Sequence, residues 1–235
     1  MPLVFGILHI MTDSRWQGVL WLARDFCLIA GASGATRPHA HYAHQALLAL
    51  DEPLRLLVDG QPVSGRVVLV ESMRTHALED ASQPMVAVYA EPLAFSLDSL
   101  RAALDQAGPD LQRLAACLQA APRQALDPRI ARALQAVDQL LAEKVSAATL
   151  ARTACLSLSQ LERLFGEQVG LSVWRLVLWR RLRLALALAM AGEPLTHAAH
   201  AAGFADAAHF SRTVRSTFGV RADRTFGNLQ LRLLE

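Results

Sequence analysis

The chain has 235 residues, 53% apolar and 19% charged, which leaves room for two modest domains with their own cores and excludes a disordered, charge-rich polymer. The formal charge of +2 hides an asymmetry: residues 1–120 carry 8 Arg against 12 acids (8 − 12 = −4), whereas 121–235 carry 15 Lys plus Arg against 9 (15 − 9 = +6). The C-terminal part is therefore the one suited to a polyanion.

Three widely spaced cysteines, Cys27, Cys117 and Cys155, form neither a C-x-x-C metal or redox motif nor a disulfide framework. The apolar start, residues 1–12, lacks a basic n-region and a cleavage site, and no run reaches the roughly 20 residues of a membrane span. A cytoplasmic protein with no membrane partner is expected.

Up to about Pro92 short apolar runs alternate with turn residues: Val19–Leu22, Phe26–Ala30, Gln45–Leu50, Leu54–Val58, Val67–Val70 and Met85–Ala90. Asp59-Gly60 between two such runs is a hairpin signal. The pattern predicts an all-β module, a small barrel or jelly roll.

Beyond Pro92 the period becomes helical. Leu97, Leu100 and Leu104, then Leu111, Leu114 and Leu118 after Gly108-Pro109, mark two amphipathic helices. Their Leu stripe reads first as core and second as a dimer contact. Pro122 and Pro128 bracket a linker over 121–128. This gives a sensor region over 1–120, with its helical pair at 97–118, and a helical region over 129–235. Helices are expected at 128–143, 147–154, 158–167, 171–191, 195–202 and 207–218, with stops at Gly166–Gly170, Gly192-Glu193-Pro194, Gly203 and Gly219.

Two of these helix pairs share one pattern. In the first, small Ala151 and Ala154 allow close helix approach, Ser157 is an N-cap, and Leu161, Leu164 and Phe165 form a buried face, leaving Ser159, Gln160 and Arg163 outside. In the second, Gly203 permits a tight turn, Asp206 caps, and Phe210, Val214 and Phe218 point inward, leaving His209, Arg212 and Arg215 outside. Helix-turn-helix units put their second helix in the major groove, where Arg can pair with a guanine edge and flanking groups hold phosphates. The 171–191 spacer, roughly 30 Å of helix, is comparable to the roughly 34 Å pitch of duplex DNA, so one chain can present both reading helices to successive groove segments.

Leu150-Ala151, Ser157-x-Ser159-x-Leu161-x-Arg163-x-Phe165, Gly170, Ala198-Ala199-x-x-Ala202-Gly203-Phe204-x-Asp206, His209-Phe210-Ser211-Arg212 and Phe218-Gly219 together resemble the DNA-binding domain of the AraC/XylS family of transcription regulators. The resemblance covers residues 128–226. It implies that Ser159, Gln160 and Arg163 are base-facing in the first unit, and Ala208, His209 and Arg212 in the second. Two departures stand out: Ala222 replaces a usual proline, and Ala207-Ala208 replace common polar residues, so the second helix is expected to read fewer bases.

His39-Ala-His41, Gln45 and His76 resemble the cupin pattern of the family's sensor domain over residues 34–91. The resemblance implies a ligand set of His39, His41, Gln45 and His76 for a divalent transition metal such as Zn, Ni, Mn or Fe, with Gln45 where a Glu is usual. Strand alternation turns His44 the other way. A partly apolar small-molecule pocket is the alternative use of the same barrel.

The fold class expected is α+β: a cupin-like β-barrel with two helices, then an all-α double helix-turn-helix domain. The expected function is sequence-specific binding of duplex DNA, modulated by a small-molecule or metal effector, as a homodimer or monomer, with RNA polymerase as a partner if the protein activates. The rival reading is a metal-dependent cupin enzyme, a dioxygenase or isomerase, carrying a helical appendage.

Overall fold

The computed structural model describes residues 17–32, 34–79, 83–143, 145–221 and 229–234. The apolar start and Ala222 lie outside these residues.

The N-terminal part is two facing sheets. Strands β1 (Gln17–Leu22), β2 (Phe26–Ala32), β3 (His44–Ala49), β6 (Val67–Val70) and β8 (Pro84–Ala90) belong to one sheet; β4 (Leu54–Val58), β5 (Gln61–Gly65) and β7 (His76–Leu78) form the other, in the order β5-β4-β7. The β4–β5 hairpin turns on Asp59 (φ 50°) and Gly60 (φ 76°), the paired positive φ angles that an Asp-Gly turn supplies. Leu47, Val68, Met85 and Ala87 from the larger sheet meet Leu54, Leu56 and Leu78 from the smaller in a core between them.

The other face of the larger sheet is covered by α1 (Leu97–Ala107) and α2 (Leu111–Ala120). Ser96 and Asp110 cap them by accepting from the backbone N–H of Ser99 and Arg113. Leu100, Leu104, Leu114 and Leu118 are buried with Phe26, Leu28 and Phe95. The Leu stripe is thus core, and any dimer contact has to use another surface.

The segment after α2 lies against the β region. Arg123 pairs with Asp25 at 2.7 Å and stacks over the Phe95 ring at 4.4 Å, while Gln124 donates to Pro92 O at 2.9 Å.

Among the described residues six helices follow: α3 (Pro128–Gln139), α4 (Ala147–Thr153), α5 (Leu158–Leu164), α6 (Val173–Met190), α7 (Leu195–Ala201) and α8 (Ala207–Phe218), with α5 running on as a π-helical turn over Phe165–Val169. Asp127, Ser146, Ser157, Ser172 and Asp206 cap α3, α4, α5, α6 and α8 with their side chains, whereas α7 starts after Pro194 without such a cap; α6, 18 residues long, spans about 27 Å.

One element departs from the expected pattern. Residues 229–233, expected to lie within the helical region, form β9 (Leu229–Leu233), which pairs in parallel with β1. It extends the larger sheet to the order β6-β3-β8-β2-β1-β9. Leu229 and Leu231 join the core between the sheets, and Arg232 lies 4.6 Å over the Trp21 ring. A five-residue strand with one buried position carries too weak a signal to separate from a loop.

Candidate functional site

In the first helix-turn-helix unit α4 and α5 meet through a turn at Cys155, whose φ of 56° is left-handed. Ser157 caps α5 in a reciprocal box: its Oγ accepts from Gln160 N–H, and Gln160 Oε1 accepts from Ser157 N–H at 3.0 Å. Leu161 and Leu164 are buried, and Ser159, Gln160 and Arg163 are exposed. The side-chain carbonyl of Gln160 is therefore engaged in the cap, leaving its amide as the outward group. Arg163 meets both carboxylate oxygens of Glu167 at 3.0 Å, an exposed pair of the kind that contributes little and yields readily to a phosphate or base.

In the second unit Gly203, at φ 83°, makes the turn, and a Cβ there would lie 2.5 Å from Leu141 O. Asp206 caps α8 by accepting from His209 N–H at 2.6 Å. Phe210, Thr213 and Val214 are buried, whereas Ala208, Arg212 and Arg215 are exposed. His209 is half-buried, edge-on to Phe204 at 5.2 Å. Both units thus present an Arg on an exposed helix face.

The end of α8 leaves the helical bundle and meets the β region. Phe218 lies 5.8 Å from the His41 ring, 6.1 Å from Tyr89 and 6.2 Å from Trp179. Arg37 N–H donates to Gly219 O. A Cβ on Gly219 would sit 2.5 Å from Arg37 O and 2.8 Å from His39 Nδ1. The second reading helix therefore ends directly on the histidine segment.

Those histidines converge. His39, His41 and His76 offer ring nitrogens within 4.8 Å of one another, and all three are buried. His39 and His41 stand on an irregular segment rather than on one strand face; a single bridge, His39 to His76, holds it in place. Each Nδ1 faces a backbone carbonyl: Arg37 O for His39 at 2.8 Å, Ala43 O for His41 at 3.0 Å and Arg74 O for His76 at 2.9 Å. A carbonyl can only accept, so the Nδ1 atoms are protonated and the Nε2 lone pairs remain available. Burial first, then the His76 charge, pushes His39 down to about 4; burial lowers His41 and His76 as well.

Gln45 on β3 is 2% exposed, and its Oε1, like the Nε2 atoms of His41 and His76, has no hydrogen-bond partner. This donor set fits a divalent transition ion: neutral imidazoles with backbone-oriented tautomers and an orphaned amide oxygen beside them. His44 turns away and accepts from Ser72 N–H at 3.0 Å.

Beside His39 and His76 lies a cleft, partly open to solvent. Its walls come from both halves of the chain: Leu20, Leu22 and Ile29 from the sheet, Leu186 and Met190 from α6. At its edge Glu91, 4% exposed, accepts from Trp179 Nε1 at 3.1 Å, pairs with Arg180 at 3.2 Å and with Arg183. One buried carboxylate on the β side thus holds three side chains of α6. Sequence reasoning passed over this hub, although Arg180, Arg181 and Arg183 within an otherwise Leu- and Ala-rich helix were the available signal. Arg181 has a different use, donating to Leu141 O and Glu143 O at 2.9 and 2.6 Å.

Residues 150–227 match the family model of a helix-turn-helix domain. The chain carries an AraC-type DNA-binding domain. Over 89 residues the chain is 36% identical to LumQ of Photobacterium leiognathi, a probable transcriptional regulator by name; the match covers 37% of this chain and 36% of that relative's length. Across a larger span the fold resembles ToxT from Vibrio cholerae. An apo form of ToxT aligns over 85% of this chain and 96% of its own, with a TM-score of 0.56 and 12% identity. A form with bound unsaturated fatty acid aligns over 84% and 93%, with a TM-score of 0.56 and 13% identity. At such identity the likeness concerns the fold: a sheet-rich region preceding an AraC-type domain.

Proposed function

We propose that the chain is a sequence-specific transcription regulator whose β region binds an effector in the cleft and thereby changes how the AraC-type domain meets duplex DNA. The observation that carries this reading is the placement of Phe218 and Gly219, the end of the second reading helix, against the wall and floor of the cleft. An occupant there touches the reading apparatus directly, which supplies the differential contact between two states that any ligand-driven shift requires. Ser159, Gln160 and Arg163 in the first unit, and Ala208, His209, Arg212 and Arg215 in the second, are the residues facing DNA.

The largely apolar walls support a small effector with an apolar body; ToxT, similar in fold, is known in a form with bound unsaturated fatty acid. His39, His41, His76 and Gln45 would hold a divalent ion, Zn, Ni, Mn or Fe, in a cupin-like setting. Such an ion would supply a fixed positive charge at the base of the cleft. The relative and the fold point to a regulator rather than a metal-dependent enzyme. RNA polymerase is a partner if the protein activates, the cytoplasm is its site of action, and a homodimer would pair through a surface other than the buried Leu stripe.

The test is selection of bound fragments from a random duplex pool, with and without added zinc. The expected result is one enriched motif with two segments about one helical turn apart, and affinity that falls steeply with salt as counterions are released. An unenriched pool and a flat salt response would overturn the reading.

A further inference from the structure

Hydrogen-bond acceptors cluster just beneath the cleft, which His39, Gln45 and His76 line. His41 and His76 direct Nδ1–H at Ala43 O and Arg74 O, so their Nε2 atoms carry lone pairs. These two atoms and Gln45 Oε1 are buried without partners, on side chains no more than 3% exposed. Buried polar groups rarely stay unpaired in native proteins, because each costs its full desolvation. His39 has the same tautomer, fixed by Arg37 O at 2.8 Å.

The charges around these acceptors are unfavourable to an anion. Asp25 and Glu91 line the cleft together with a single Arg, Arg183. Arg183 is already paired with Glu91 and donates to Ala23 O at 3.0 Å. An incoming carboxylate would have to displace Glu91, which is nearly inaccessible to water, and would strand it as an uncompensated buried charge.

We propose that the cleft selects an apolar effector whose head group donates hydrogen bonds, a hydroxyl or an ammonium, and rejects the same apolar body ending in a carboxylate. This deepens the effector reading above and rests on it. The head meets Gln45 Oε1 and the imidazole lone pairs; the body lies along Leu20, Leu22, Ile29, Leu186 and Met190. Glu91 is the specificity-determining residue, because it occupies the cation an acid would need. A divalent ion is the limiting case of the same complementarity, so ion and head group compete for one place.

The probes are decan-1-ol, decylamine and decanoate, titrated calorimetrically into the full chain at pH 8, with chelator and then with zinc. The alcohol and the amine bind at least about tenfold tighter than decanoate, the size of effect expected when a carboxylate finds no donor, and zinc weakens both. Gln45→Leu, similar in volume and without the orphan oxygen, shrinks that preference several-fold, and Glu91→Gln, which frees Arg183 while keeping the side chain's shape, strengthens decanoate binding. Decanoate bound as tightly as the alcohol by the native chain overturns the proposal, as does a preference indifferent to both zinc and Gln45→Leu. Binding of none of the three probes overturns the effector reading of the cleft itself and this proposal with it, whereas a reversed ranking overturns this proposal alone.

Discussion

The two helix-turn-helix units share a plan and differ in what they touch. Both end their second helical segment on a left-handed glycine, Gly170 at φ 72° and Gly219 at φ 68°. Around Gly170 an added Cβ would meet nothing within 4 Å; at Gly219 it would strike Arg37 O and His39 Nδ1. The first unit touches the β region at the last residue of that segment, through Tyr42 Oη donating to Val169 O at 2.7 Å. The second is held by its reading helix itself, and after α8 the chain returns to the same region as β9. The same left-handed glycine stop thus ends in open space in one unit and against the β region in the other.

The most severe way to break this difference is Glu91→Ala. Arg180 and Arg183, with side chains 16% and 19% exposed, would lose their shared counter-charge. Breaking a buried ion pair from one side costs about 3–5 kcal/mol. Urea unfolding should show that loss and a split of one transition into two as the β and helical parts uncouple; a loss below about 1 kcal/mol means that the hub does not join them.

The glycines give a matched pair. Gly170→Ala should cost about 1–2 kcal/mol for the left-handed backbone alone. Gly219→Ala adds overpacking against the Arg37 carbonyl, about 1–3 kcal/mol more, and should also loosen the histidine segment. Equal destabilisation of the two variants would show that α8 is not seated on the β region.

Reading residues should separate in a third way. Arg163→Ala and Arg212→Ala are each expected to lose about 1–3 kcal/mol on the selected duplex and to relax preference in different segments of it. Filling the cleft should then alter protection of the Arg212 segment and leave the Arg163 segment unchanged. Footprinting decides this, and parallel changes in both segments would remove the distinction between the units.

What the chain disclosed in advance follows from how local each signal is. Caps at Ser157 and Asp206, stops at Gly170, Gly203 and Gly219, and the hairpin at Asp59-Gly60 are set by neighbouring residues, so α4 to α8 and β4–β5 were legible. The grouping of His39, His41 and His76 was legible only through resemblance, because His76 reaches the others by a bridge of 37 residues' separation. Glu91 with Trp179, Arg180 and Arg183, and β9 on β1, join positions far apart in the chain. Pairings of that range leave no periodic trace. The second unit's dependence on the β region therefore had no local signature, although its reading helix did.

The smallest effect concerns the turns that open the reading helices. Gly203 makes the second turn at φ 83°, and Cys155 makes the first at φ 56° with a Cβ in a region where one is costly. Replacing Cys155 with Gly removes a left-handed penalty of about 1–2 kcal/mol and adds chain entropy to the unfolded state worth about 0.5–1 kcal/mol. The net gain should be about 0.5 kcal/mol in chemical denaturation, with duplex affinity unchanged, because the side chain is exposed. The reverse exchange is not symmetric: a Cβ at Gly203 lies 2.5 Å from Leu141 O and 2.8 Å from Arg181 Nε, so Gly203→Ala should destabilise by more than Cys155→Gly stabilises. A destabilised Cys155→Gly variant would mean that the thiol contributes packing in the first unit, and the two turns would then differ in more than their tolerance of a side chain.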